Sequence, residues 1–158
     1  MRKPFVDDVN NNFFGENGYL LVRNFFTEEE INLLKIDRRE SYISFRDKYY
    51  TTLDTPDMAL KSDAINKIRG VVSAKLSCLF DAYRPVITSY VIKKSNSNES
   101  LKLHQNPTFV DERFFSSIVC WIPMQSVDSS NGAMIVIPGS HRLFMNYRTA
   151  NFLEEKLF

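Results

Sequence analysis

Apolar residues recur first at helical spacing and later at strand spacing, and the change comes near Leu101. Before it, Thr27-Glu-Glu-Glu30 has the form of a capping box, in which Thr27 accepts from the Glu30 amide and Glu30 reaches back. The spacing predicts a helix after this box, with Ile31 and Leu34 inward, Leu33 beside them, and an end near residues 37–39. A second helix is predicted from a cap at Ser62, burying Ile65, Ile68, Val72, Leu76 and Leu79, with Gly70 as a weak point and Pro85 as its stop. Residues 18–23 (GYLLVR), entered through Gly15 and Gly18, read as a short strand. Residues 41–57 are aromatic and polar without a clean period and read as a long loop with short extended pieces. Residues 86–94 (VITSYVIKK) are β-branched and aromatic, hence a strand.

Beyond Leu101 the pattern is all β. Residues 116–123 (SSIVCWIP) and 133–137 (AMIVI) read as strands, separated by an Asn131-Gly132 turn and closed by Pro138-Gly139. Asp128 belongs to the same turn chemistry. There is no internal repeat, low-complexity tract or linker, so residues 1–158 read as one domain. Its class is α+β, mainly β with N-terminal helices packed on one face of a sandwich.

Composition narrows the partners. A 44% hydrophobic and 13% aromatic content excludes a disordered chain. The 20 basic and 19 acidic residues leave a net charge of +1, and basic residues occur only in short pairs such as Arg38-Arg39 and Lys93-Lys94. No nucleic acid or anionic membrane partner is expected from that balance, whereas a local pocket for an anionic small molecule is compatible with it. No stretch reaches the length of a membrane helix, and the first residues carry no apolar signal core, which predicts a cytoplasmic protein. Cys78 and Cys120 lie in apolar surroundings and read as reduced core residues.

The candidate chemistry sits at His104-Gln105-Asn106. Imidazole and carboxylate together suit iron(II), and three such ligands on one face leave positions open for reactants. A spacing of two on a strand puts both side chains on one face. His104 and position 106 satisfy that spacing, but position 106 is an amide. Its carbonyl is a weaker donor than a carboxylate and leaves the site one negative charge short. The only other histidine is His141, in Pro138-Gly-Ser-His-Arg142. Gln105 reads either as a contact to substrate or cosubstrate or as a solvated residue, and Tyr90 and Lys93, on the preceding strand, as cosubstrate contacts or as core and surface residues. Trp121 fits a buried aromatic, and Asp111, Glu112 and Arg113 a solvated rim.

The run from His104 to Glu112, then Ser116-Ser117, Trp121-Ile-Pro123, Asp128, Asn131-Gly-Ala133 and Ile137-Pro-Gly-Ser-His-Arg142, resembles the phytanoyl-CoA dioxygenase family. Gly18-Tyr-Leu-Leu-Val-Arg23 and Phe25-Phe-Thr-Glu-Glu-Glu30 resemble the family's opening. The resemblance runs from about Phe14 to Arg142 and implies an iron(II)/2-oxoglutarate oxygenase on a double-stranded β-helix, a jelly roll. It implies that His104 descends from a metal ligand and that Asn106 stands where the family has Asp. The family's distal histidine and its basic partner for 2-oxoglutarate have no counterpart here. Arg142 lies next to a structural turn and not where that partner falls, and His141 belongs to the turn. The jelly roll is therefore expected to lack its C-terminal closing strands, and its open edges to favour self-association.

Asn106 has three readings: decay of the metal site, a shape-preserving substitution, or the loss of carboxylate by which halogenases make room for halide, which an Asn side chain would refill. The expected function is a family hydroxylase, inactive or impaired as this chain and acting on a small-molecule substrate of unread identity. The alternative is a non-catalytic jelly-roll relative kept for binding a small molecule or a protein. A cupin-like module would need more histidines than two.

Overall fold

The computed structural model describes residues 3–35, 49–93, 102–143 and residue 148. Among these the chain forms three α-helices, α1 (Asp8–Asn17), α2 (Glu28–Leu34) and α3 (Met58–Ser77). It also forms a two-stranded antiparallel sheet of β1 (Tyr49–Thr51) and β2 (Val91–Lys93), and a 3₁₀ turn at Ser140–Arg142.

The capping box forms as read. Thr27 Oγ1 accepts from the Glu30 amide at 3.2 Å, and the Glu30 carboxylate accepts from the Thr27 amide at 2.8 Å. That amide, and then Lys75 of α3 at 3.1 Å, hold the Glu30 carboxyl below its ordinary pKa. The second predicted helix starts earlier than its expected cap at Ser62. Asp57 accepts from the amides of Ala59 and Leu60, so the chain is already helical at Met58. Ala64, Ile68 and Val72, four apart, form its buried stripe. They enclose Leu34 (1% exposed) and Tyr90, with Phe26, Ile31, Ile122 and Met124 packed around them. Leu33 faces solvent.

Helix α1 was not expected: Gly15 lies inside it, and residues 18–23 form no strand. Its asparagine-rich sequence has weak intrinsic propensity, and its support is tertiary. Asp7 caps it by accepting from Val9. The Asn11 side chain accepts from the Phe5 amide and donates to the Phe5 carbonyl, at 2.9 and 2.8 Å. Phe5 in turn stacks on Phe80 and meets Phe14 edge-on.

The C-terminus of α1 is held by the turn at residues 138–142. The amide of Gly139 donates to the Asn17 carbonyl at 2.8 Å. His141 Nε2 meets the Gly15 carbonyl at 3.2 Å, and the Arg142 guanidinium donates to the Glu16 carbonyl at 2.7 Å. These are carbonyls that a helix end leaves unpaired. Gly18 caps the helix with φ +78°, and a Cβ there would lie 2.2 Å from His141 Nδ1. Glycine is required at this position on both counts.

Several expected strands and core residues differ. The register of β1 on β2 pairs Tyr50 with Ile92, and the pairing continues where Thr52 donates its amide to the Tyr90 carbonyl. Of the described residues 86–93 the strand itself takes only Val91–Lys93, with Tyr90 extending its pairing by one residue. Residues 116–123 and 133–137 have strand composition but form no ladder among the described residues, because a strand needs a hydrogen-bonded neighbour that composition does not supply. The described residues thus form a two-stranded sheet and not the expected jelly roll. Trp121 is 42% exposed, and Cys78 and Cys120 are free cysteines at exposed positions rather than core residues, although burial around the Cys120 thiol pushes its pKa up.

One further clamp holds the segment after His104. Glu112 accepts from the Arg148 amide and Nε, each at 2.9 Å, and Arg148 also donates to the Ser117 carbonyl at 2.9 Å and hydroxyl at 3.0 Å. The Ser117 hydroxyl bonds buried Thr108 at 2.8 Å. Burial pulls the Glu112 pKa up, but Arg148 prevails and holds it below the ordinary 4.5.

Two predictions follow from these contacts. Gly70 is exposed mid-helix with open space where a Cβ would go. Gly70→Ala is therefore expected to stabilise by about 0.5–1 kcal/mol, whereas Gly18→Ala costs more than about 1 kcal/mol, both read as urea midpoints. Glu112, with its folded pKa lowered, stabilises fully above pH 4.5, and that contribution fades as pH falls through the folded value. Between pH 7 and 3, wild type is expected to lose more stability than Glu112→Gln, and parallel curves would exclude this role.

Candidate functional site

The expected metal motif lies in a stretch that forms no regular strand from Lys102 to Thr108, so the same-face geometry of a strand is not imposed on it. His104 is exposed and Asn106 half-buried. His104 Nδ1 lies 2.7 Å from the Lys102 carbonyl. A carbonyl can only accept, so Nδ1 carries a proton, and the lone pair of the neutral form of the ring lies on Nε2. Metal-ligating histidines are commonly oriented in this way, by donating the other nitrogen to a carbonyl. Two residues beyond Asn106, buried Thr108 fixes the stretch to Ser117 and, through it, to Arg148.

The remaining donors are poor. Gln105 is exposed, and neither it nor Asn106 makes a hydrogen bond with the described residues. Among the described residues no group of three or more His, Cys, Asp or Glu side chains is arranged to hold a metal ion. One imidazole and one neutral amide do not fit an iron(II) site of two imidazoles and a carboxylate. The neighbouring carboxylates are engaged elsewhere. Asp111 is bound by its own neighbour Arg113 through the side chain and the amide, which lowers its pKa to about 2. Glu112 is paired with Arg148.

The other candidate residues separate. Tyr90 is 7% exposed, and its hydroxyl donates to the Leu34 carbonyl at 2.7 Å, inside the core. Lys93 is exposed, on the outward face of β2 with Val91. The odd spacing of Tyr90 and Lys93 puts them on opposite faces. Lys93 runs beside the Asn131-Gly132 turn, its Cδ 3.7 Å from where a Gly132 Cβ would sit. No hydrogen bond or ion pair among the described residues joins either of them to His104 or Asn106. Arg142 and His141 belong to the clasp on α1. The Glu112–Arg148 clamp was not legible in the sequence, where Glu112 reads as one of three charged loop residues and its partner is 36 positions away.

No helix among the described residues is long and apolar enough to cross a membrane. Comparison with curated proteins and with solved structures found no match. Comparison with protein families matches the model described as phytanoyl-CoA dioxygenase to residues 14–156, most of the chain, a span that includes the sequence blocks between Phe14 and Arg142. That family is one of iron(II)/2-oxoglutarate oxygenases, and this chain belongs to it.

Proposed function

We propose that this chain is a phytanoyl-CoA dioxygenase-family domain whose iron site is reduced to His104 and Asn106, so that it does not perform the family's hydroxylation unaided. The carrying observation is the pair itself. His104 is held by the Lys102 carbonyl with a lone pair on Nε2, and an amide stands where a carboxylate would complete the motif. In this reading residues 1–158 are one domain, and residues 116–123 and 133–137 are strands of a double-stranded β-helix. Family membership supports that architecture. Gln105 and Lys93 are the candidates for contact with an anionic cosubstrate or a small-molecule substrate; Tyr90 reaches it only if its core hydrogen bond opens. The chain's balanced charge disfavours nucleic acid as partner.

The donor set is too poor for a resident iron. What the residues themselves can do is narrower. His104 offers a neutral imidazole nitrogen to an electrophile or a metal ion, and Asn106 offers an amide that both donates and accepts. The same amide favours a second reading: a non-catalytic relative that binds a small molecule or a protein through the surface around His104. A neutral site accommodates an anionic ligand without the repulsion that a carboxylate would add.

Titration with iron(II) under anaerobic conditions separates these readings. Asn106→Asp is expected to raise iron affinity by about tenfold or more, since even outer-shell partners of a metal are worth about 10–100-fold, and the added change His104→Ala is expected to abolish that gain. Wild type is expected to show no 2-oxoglutarate turnover. Unchanged affinity in Asn106→Asp would remove position 106 from any metal site and leave the binding-module reading.

A further inference from the structure

The chain contains two Asn-Gly steps, Asn17-Gly18 at the end of α1 and Asn131-Gly132 in the turn after Asp128. An asparagine followed by glycine can react with itself. The glycine amide nitrogen bonds to the asparagine Cγ, the bond from Cγ to Nδ2 breaks, and ammonia leaves with the proton of that amide. Water then opens the cyclic imide at either carbonyl and leaves aspartate or isoaspartate in place of asparagine. Glycine favours the step because no Cβ obstructs the approach. The sequence marks both steps equally, and both glycines have positive φ, +78° and +101°.

Their hydrogen bonds separate them. The Gly18 amide donates to the Phe14 carbonyl at 2.7 Å and closes α1. Asn17 is tied twice more: its Nδ2 donates to the Phe13 carbonyl at 2.9 Å, and its carbonyl accepts from Gly139 at 2.8 Å. Attack by the Gly18 nitrogen would open the helix cap. The Gly132 amide makes no hydrogen bond among the described residues, and Asn131 and Gly132 are both exposed. Asn131 Oδ1 accepts from the Asp128 amide at 2.7 Å, and its Nδ2 donates to the Ser126 carbonyl at 2.9 Å. An amide on Oδ1 polarises the carboxamide and stabilises the oxyanion that attack generates. Lys93 Nζ lies 3.9 Å from where a Gly132 Cβ would sit, and a cation there favours the deprotonated nitrogen that attacks.

We propose that Asn131 is a self-modification site: in the folded chain it deamidates through the free Gly132 amide, while the α1 cap holds Asn17 unreacted, and the conversion loosens the turn. The product has no Nδ2, so the Ser126 carbonyl loses its donor. A new carboxylate enters the turn that already holds Asp128, and like charges repel. Isoaspartate also inserts the former side-chain methylene into the backbone. The Asp128 carbonyl accepts from the Asn131 and Ala133 amides at 3.3 and 3.0 Å, so the same change weakens the hold on Ala133. Loss of ammonia makes the change one-way.

The test is incubation of the whole 158-residue chain at neutral and mildly alkaline pH, in native buffer and in urea, with peptide mapping by mass spectrometry and an isoaspartate assay. In native buffer Asn131 is expected to convert about fivefold or more faster than Asn17, the scale of the one hydrogen bond that the Gly18 amide must first give up. The rate is expected to rise with pH, and in urea the two sites are expected to converge. Asn131→Asp reproduces the unbranched product, and its Ala133 amide is expected to exchange hydrogen about fivefold or more faster than in wild type, with the amides of α3 unchanged. Equal native rates at the two sites overturn the proposal, because sequence then explains both. A native Asn131 that stays intact while the unfolded chain reacts overturns it too, since the turn then protects the residue. Unaltered exchange at Ala133 in Asn131→Asp overturns the loosening of the turn.

Discussion

Tyr90 is the side chain on which the rest of the described core depends. Its hydroxyl donates to the Leu34 carbonyl, at the end of α2, where a helix has no acceptor-satisfying amide of its own. Its amide donates to Thr52 Oγ1, and its carbonyl accepts from the Thr52 amide, which continues the pairing of β1 with β2. Its ring fills the space between Leu34 and the Ala64, Ile68 and Val72 stripe of α3. One buried residue thus joins the helical layer to the sheet. A buried tyrosine hydroxyl without a partner would cost more than the hydrogen bond contributes, so the geometry of α2 and β2 is coupled through it.

A second constraint joins distant parts of the sequence. The turn at residues 138–142 closes on the last carbonyls of α1 across 126 positions, and it does so only because Gly18 leaves room for the His141 ring. The clasp fixes where the run 133–137 begins its return. Together with the Asp128 turn it leaves that run exposed. The segment after His104 is tied down by other means, through Thr108, Ser117, Glu112 and Arg148. The candidate site is therefore anchored on its C-terminal side, at Thr108.

Local features were legible and distant ones were not. The Thr27–Glu30 box is complete within four residues, so its reading needed nothing beyond the sequence. The buried stripe of α3 followed from its period, while its start did not, because Ser62 and Asp57 are both good caps and the choice fell to the earlier one. Helix α1 was missed because Asn11 and Phe14 are poor helix signals whose value lies in their contacts with Phe5. Glu112 reads as solvated in the sequence because nothing near it announces Arg148.

By itself the sequence determined the family, the position of the His104-Gln105-Asn106 motif, and the chemical poverty of that motif, since residue identity and spacing are local and unaffected by folding. It also determined which segments are β-prone. Folding alone settles that Tyr90 serves the core, that Lys93 points the other way, that His141 and Arg142 close a helix, and that residues 134–136 make no backbone hydrogen bond among the described residues. The physical reason is the same in each case. A hydrogen bond or a covered face is a relation between two places in the chain, and a pattern along one segment specifies only one of them.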